Sequence, residues 1–328
     1  MTFEMDTDLS IPGSIQEQET HNIKGTLLYN HNNSTFQNKN VILFDIFWSI
    51  IKPKDGRKKF ENKDDWKWLR NSVPHILQEL SKTKQIVFLI DINPGQKWMF
   101  ELAKDVCTEL NIPIIVLVAY YKKYHKPNTL LFESIFSTIH KRNSFMVANI
   151  GGKRIIEGID KDFADTIGVS FKTPEDIFPF DDIKEITGNY ETTDKTQKEV
   201  VIMVGMPGSG KSTFCKNNLP NYHLICGDTY KTQKKMLEQA TKYIEQTSVI
   251  FDGTNGTSKK RQVYIDFAQK HNCNVKCIWI NRPVDTAYEQ IKKRKIEGGN
   301  YIPQIVLIGY TDIFETPTEN EGFQLYEV

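Results

Sequence analysis

Apolar residues along this chain gather into short continuous runs, separated by amphipathic stretches and polar turns. Val41-Ile42-Leu43-Phe44 and Ile86-Val87-Phe88-Leu89-Ile90 are apolar at every position. Runs of that kind predict strands buried on both faces, not strands with one wet side. The pattern predicts strands over 41–44, 86–90, 112–118 and 144–147, and helices over 66–80 and 97–110. Strand–helix alternation of this kind argues for a parallel sheet covered on both faces. Residues 1–23 are polar and acidic without periodicity and read as a disordered tail. The Asn-rich stretch 30–40 reads as a loop.

Past Phe178 the pattern changes. Residues 180–198 are polar and charged and read as a linker, after which apolar runs resume at 200–204, 223–226 and 249–252. The fold class is therefore α/β in two domains, 24–179 and 199–328, as a chain of 328 residues leads one to expect.

Charge adds little: 42 basic residues against 41 acidic ones exclude a polycation, so any nucleic-acid site must be a local basic patch. Five cysteines with no CxxC pair suggest reduced thiols. No apolar run is long enough to cross a membrane, and the N-terminal stretch is acidic with no secretory h-region. The expectation is an intracellular protein, nuclear or cytoplasmic, neither secreted nor bound to a membrane.

The chemistry concentrates at Gly205-Met206-Pro207-Gly208-Ser209-Gly210-Lys211-Ser212-Thr213. This is a complete P-loop, preceded by an apolar strand and followed by a helical stretch over 213–217. A strand, a glycine-rich turn and a helix N-terminus together make a phosphate cradle. In such a loop the lysine, Lys211, reaches the β- and γ-phosphates of a nucleoside triphosphate, and the hydroxyl of Ser212 ligates Mg²⁺.

Further blocks then form a recognisable order. They are Ile51-Lys52-Pro53-Lys54-Asp55-Gly56-Arg57, Asp64-Asp65-Trp66-Lys67-Trp68-Leu69, Lys126-Pro127, Thr173-Pro174-Glu175 and Phe178. In the second half come Gly227-Asp228-Thr229, Asp252-Gly253-Thr254-Asn255, Arg261, Phe314-Glu315-Thr316-Pro317-Thr318 and Glu321-Gly322-Phe323. In number, order and spacing the chain resembles the bifunctional polynucleotide kinase 3′-phosphatase family, from about residue 39 onward. With fewer than forty residues before that point, the forkhead-associated domain of animal members is expected to be absent. The resemblance implies a haloacid-dehalogenase-like phosphatase domain followed by a P-loop kinase domain.

For the kinase half the resemblance implies ATP and Mg²⁺ as cofactors and a DNA or RNA end bearing a 5′-hydroxyl as partner, with a ligase or repair scaffold downstream. It makes Asp228 the general base and Asp252 an organiser of the acceptor side or the metal shell, with Asn255 in the same block. Arg261 is expected to pair with Asp252 or a substrate phosphate, or else to form a surface salt bridge. Arg294 is expected over the transferred phosphates, assisted by Lys292 or Lys293. A helix cap is the bland alternative for Asp228.

For the phosphatase half the resemblance exposes losses. Asp45 matches the nucleophile, but Phe47 stands where the acid belongs and Trp48 where a glycine belongs. Ile90 replaces the phosphate-gripping hydroxyl, and Asn149 replaces the metal carboxylate; Lys126 remains. Aspartyl-phosphate chemistry needs both metal and acid, so this half is expected to be a pseudophosphatase. The rival expectations for the whole chain are a scaffold made of two retired enzymes, or a P-loop kinase of a small molecule.

Overall fold

A computed structural model describes residues 18–19, 25–32, 34, 39–56, 59–93, 95–149, 158–182 and 197–328. The chain forms two compact units that divide after Asp181. Apart from Gln18–Glu19, the segment expected to be a tail lies outside the described residues, as does most of the expected linker.

The strands of the first unit are β1 (Gln18–Glu19), β2 (Thr26–His31), β3 (Val41–Asp45), β4 (Ile51–Lys52), β5 (Lys67–Trp68), β6 (Gln85–Asp91), β7 (Ile114–Ala119), β8 (Phe145–Val147) and β9 (Ser170–Lys172). Seven of them form one sheet in the order β1-β2-β7-β6-β3-β8-β9. The continuous apolar runs have the cause the sequence suggested. Ile42 and Phe44 of β3 pack into one core while Val41 and Leu43 pack into another on the opposite face. Strands β7, β6, β3, β8 and β9 are parallel. Counted in chain order, these five run 3-2-1-4-5, which places a topological switch point at the C-terminal end of β3. Asp45 ends β3 and Asp91 ends β6, and Asn149 lies just past β8.

Three expectations need correction here. The sheet is mixed, because β2 pairs antiparallel with β7 and β1 antiparallel with β2. Part of the Asn-rich stretch belongs to β2, whose first four residues are buried. The helix expected over 66–80 covers only Val73–Ser81. Its early residues Lys67–Trp68 pair with Ile51–Lys52 in a separate two-stranded hairpin. Pro74 explains the shift, since proline fits the first turn of a helix but not its interior.

The second unit contains β10 (Glu199–Val204), β11 (His223–Cys226), β12 (Val249–Asp252), β13 (Asn274–Trp279) and β14 (Gln324–Glu327). All five are parallel, in the order β11-β12-β10-β13-β14. Again the apolar strand serves two faces, with Val200, Ile202 and Val204 in one core and Val201 and Met203 in another. The P-loop leaves the central strand β10 at the switch point of this sheet.

Candidate functional site

Backbone conformation builds the phosphate cradle before any side chain does. Gly205, Gly208 and Gly210 have φ of 149°, 78° and 103°, in the region that favours glycine. A Cβ on Gly208 would stand 2.4 Å from the carbonyl oxygen of Ala287, so the loop could not pass there with a side chain. The helix Lys211–Asn218 follows at once. The amides of Lys211, Ser212 and Thr213 lie in its first turn, where no intrahelical acceptor exists. Pro207, Gly208, Gly210, Lys211, Ser212 and Thr213 line a cleft of about 890 Å³. Ser209 does not face that cleft: it is fully buried beneath the loop.

Lys211 is buried, and its Nζ donates to the carbonyl oxygens of Gly205 and Met206, each at 2.9 Å. Burial lowers its pKa, and the Asp252 carboxylate nearby works the other way. Its hydrogen-bond partners, with Ser209 Oγ the third, are all neutral oxygens. Beside it Ser212 Oγ donates to Asp252 Oδ2 at 2.6 Å. Asp252 ends β12, next to β10, and is nearly inaccessible. A hydroxyl and a carboxylate oxygen meeting at the phosphate cradle fit Mg²⁺, which takes hard oxygen ligands and one or two carboxylates.

Asp228 lies in the short helix Gly227–Tyr230 after β11 and lines the same cleft. The capping alternative is not what the structure shows: the N-cap is Cys226, without a side-chain cap hydrogen bond. Asp228 is exposed to the cleft instead. Arg294, on the helix Val284–Ile296, also lines the cleft and donates through Nη2 to the carbonyl of Asn300 at 3.1 Å. Lys293 lines the cleft too. Lys292, the other residue expected to assist, does not: it is buried and pairs with Glu289 at 3.4 Å. One residue along a helix rotates a side chain by about 100°, which turns Lys292 away from the wall that Lys293 and Arg294 share.

Arg261 departs from its expected roles. It is wholly buried and pairs through Nε and Nη2 with both oxygens of Glu321, each at 2.7 Å. Its Nη1 donates to the carbonyls of Asn255 and Glu315. Arg261 is thus neither a phosphate ligand nor a surface bridge. It is a buried clamp tying the β12 loop to the C-terminal Phe314–Phe323 stretch, a bond that sequence reading missed. Glu315 completes the tie by accepting from the backbone and hydroxyl of Ser258, hydrogen bonds that lower its pKa. Asn255, at φ 41°, donates from Nδ2 to the carbonyl of Met203 at 2.8 Å and holds the same loop against β10.

The first unit brings its remnants together differently. Lys126 Nζ lies 3.3 Å from Asp45, 3.1 Å from Asp91 and 3.6 Å from Asp160. Burial alone would lower the Lys126 pKa, but the three carboxylates outweigh it and raise it. Burial is also the main cause that raises Asp45, and it pushes Asp160 up to about 7. Phe47 packs edge-on against Phe60, ring centroids 5.1 Å apart, and Ile90 is core. Trp48 keeps φ at 62°, so the turn survives without its glycine. The backbone amide of Asn149 donates to Ser49 Oγ at 2.9 Å. The cavity touching Lys126 and Asp91 measures only about 20 Å³. A divalent cation here would compete with an ammonium already within reach of three carboxylates and would find a neutral amide at Asn149, so the residues do not fit one. Nothing local in the sequence signals that Asp91 and Asp160 share one cation.

Comparison with known proteins agrees with this division. Residues 40–178 match the family described as polynucleotide kinase 3 phosphatase, and residues 222–317 match a family described as AAA domain. A bifunctional polynucleotide phosphatase/kinase of Schizosaccharomyces pombe is 26% identical, over 87% of this chain and 78% of that protein. A putative bifunctional polynucleotide phosphatase/kinase of Acanthamoeba polyphaga mimivirus is 27% identical, over 80% of this chain and 79% of its own. An L-seryl-tRNA(Sec) kinase of Methanococcus maripaludis is 26% identical over 39% of this chain and 57% of its length. Among the described residues no helix is long and apolar enough to cross a membrane.

Proposed function

We propose that this chain, similar over most of its length to bifunctional polynucleotide phosphatase/kinases, phosphorylates the 5′-hydroxyl of DNA or RNA ends from ATP with its second unit, while its first unit no longer removes 3′-phosphates. The observation that carries the kinase reading is the convergence of Lys211, the Ser212–Asp252 pair and Asp228 on one cleft. Each supplies one requirement of phosphoryl transfer, which needs positioning and charge neutralisation more than covalent chemistry.

Asp228 accepts the proton of the 5′-hydroxyl as that oxygen bonds to the γ-phosphorus and the β–γ bridging oxygen departs with ADP. The Lys211 ammonium and the first-turn amides of the helix Lys211–Asn218 neutralise the charge on the phosphoryl oxygens. Ser212 and Asp252 would hold Mg²⁺, which would supply positive charge to offset that of the phosphates. Arg294 lines the same cleft.

The pseudophosphatase reading rests on three losses in one mechanism. Phe47 has no proton to transfer, Ile90 offers no hydroxyl to grip the phosphate, and Asn149 offers no charge to a metal. A single assay tests both halves: γ-labelled ATP with 5′-hydroxyl DNA and RNA oligonucleotides, and a 3′-phosphorylated oligonucleotide in the same tube. The expected result is label on the 5′ end and no released inorganic phosphate. Absence of label on every 5′-hydroxyl end would overturn the kinase reading. Phosphate release abolished by Asp45→Asn would overturn the other.

A further inference from the structure

We infer that the first unit binds a nucleic-acid backbone, not at its lost phosphatase site but at the opposite end of its sheet. Lys39, Lys84, Lys141, Arg142 and Lys172 gather there from four separate segments of the chain. Lys39 stands just before β3, Lys84 just before β6, and Lys141 and Arg142 in the one-turn helix Lys141–Asn143 just before β8. Lys172 comes from β9, the edge strand. Because β6, β3 and β8 are parallel neighbours, the residues that precede them emerge at one end, and Asp45 and Asp91 sit at the other. Bonds between the segments hold these cations in one surface. The His140 amide donates to the Lys39 carbonyl at 2.7 Å, and Lys84 Nζ donates to the Asn143 carbonyl at 2.7 Å. Lys84 and Lys172 both lie over the Phe145 ring, 5.9 and 4.4 Å from its centroid. A Cβ on Gly168 would stand 2.8 Å from Lys141 Nζ, so that side chain lies against the turn that leads into β9.

No carboxylate answers these charges: none of the five forms an ion pair with a described residue. Acidic side chains on the helices that lead into β6 and β9 are engaged by other lysines, Glu79 by Lys82 and Asp165 by Lys161. With 42 basic and 41 acidic residues in the chain, an unanswered basic surface is a local feature and not a share of a general excess. Like charges so gathered repel one another, and a polyanion removes that repulsion. Neighbouring strands lie about 4.8 Å apart, so the row β6-β3-β8-β9 spreads the cations over about 14 Å. A duplex strand presents one phosphate per roughly 3.4 Å of its axis, and so meets such a row with several phosphates at once. A membrane surface would call for apolar anchors among the charges. The large apolar side chains exposed in the described part of the first unit, Tyr121 and Leu130, belong to segments that follow the other end of β7. The inference goes beyond the kinase reading and does not require it.

Anisotropy of a labelled DNA duplex of about 20 base pairs, titrated with the full chain over a range of salt, reads the contact without turnover. The variant Lys39→Ala/Lys141→Ala/Arg142→Ala removes three exposed cations whose side chains bond to no described residue, so its melting temperature should match wild type. It is expected to weaken binding roughly tenfold or more and to flatten the salt slope by about 0.7–0.9 for each lost contact. Lys39→Arg/Lys141→Arg/Arg142→Lys keeps the charges and should bind like wild type. In phosphotransfer the alanine variant should raise the KM for the long acceptor and leave kcat and the KM for ATP unchanged. An alanine variant with the affinity and salt slope of wild type would overturn the inference and leave the kinase reading standing. So would attachment to phosphatidylserine vesicles that depends on the three cations while duplex binding does not. Duplex binding that depends on them, without any phosphotransfer by wild type, would retain the inference and reject the kinase.

Discussion

In each unit a lysine is buried near the C-terminal ends of parallel strands, and these two lysines, Lys211 and Lys126, have opposite surroundings. Lys211 is held by carbonyl and hydroxyl oxygens, and burial lowers its pKa. Lys126 is held by Asp45, Asp91 and Asp160, and its pKa is raised. The comparison teaches what makes a cation useful. An ammonium held by neutral dipoles keeps its charge for an incoming phosphate. One surrounded by three carboxylates has its charge answered already, and the excess negative charge repels a phosphate.

The comparison can be broken most sharply at Asp228. Asp228→Asn should cost about 10²–10⁴ in turnover, as loss of a general base does, with nucleotide affinity and melting temperature unchanged. A variant that turns over like wild type would remove Asp228 from the chemistry. Lys211→Ala should cost about 10²–10³ in rate with the fold intact. The parallel variant Lys126→Ala should leave phosphotransfer untouched; if the two variants were equally damaging to the kinase, the contrast drawn here would collapse.

Stability sharpens the other side. Lys126→Met leaves one buried and two partly buried carboxylates facing one another and should destabilise the first unit, by less than the roughly 3–5 kcal/mol of breaking a fully buried ion pair from one side. Adding Asp91→Asn and Asp160→Asn should recover much of that loss in a urea melt. The pH dependence is smaller. Asp160 has its folded pKa raised to about 7 from an ordinary value of 3.8, so the folded state holds a proton that the unfolded state has lost. Its contribution therefore stabilises at low pH and falls as pH rises from about 4 to about 7. Comparing melts of wild type and Asp160→Asn over that range should show the steeper slope in wild type, the remainder coming from Asp45, whose pKa burial also raises. The smallest effect expected is none: Phe47→Asp should release no phosphate from a 3′-phosphorylated end, because the deficits at Ile90 and Asn149 remain and act together with it.

Legibility in the sequence followed the range of the interactions. The P-loop could be read because its strand, glycines, lysine and hydroxyl lie within a few consecutive positions. The paired cores of β3 and β10 were visible as continuous apolar runs. What could not be read were bonds between distant segments. Arg261 meets Glu321 sixty positions away, and Lys126 gathers carboxylates from β3, β6 and the helix Ile159–Ile167. Backbone conformation is equally silent, for nothing in the letters marks Trp48 or Lys231 as left-handed. The hairpin strand at Lys67–Trp68 was misread because its aromatics also fit a helical stripe.

Lys126 has one more consequence, in terms of mass action. A bound ion is present only in proportion to its concentration over its dissociation constant, so chelators and fluctuating cation levels govern any fold that depends on it. A cation on a side chain is delivered intramolecularly, at an effective concentration fixed by its tether. With Lys126 between Asp45, Asp91 and Asp160, the first unit carries its own counter-ion, and its integrity should not depend on the supply of free magnesium or respond to a chelator.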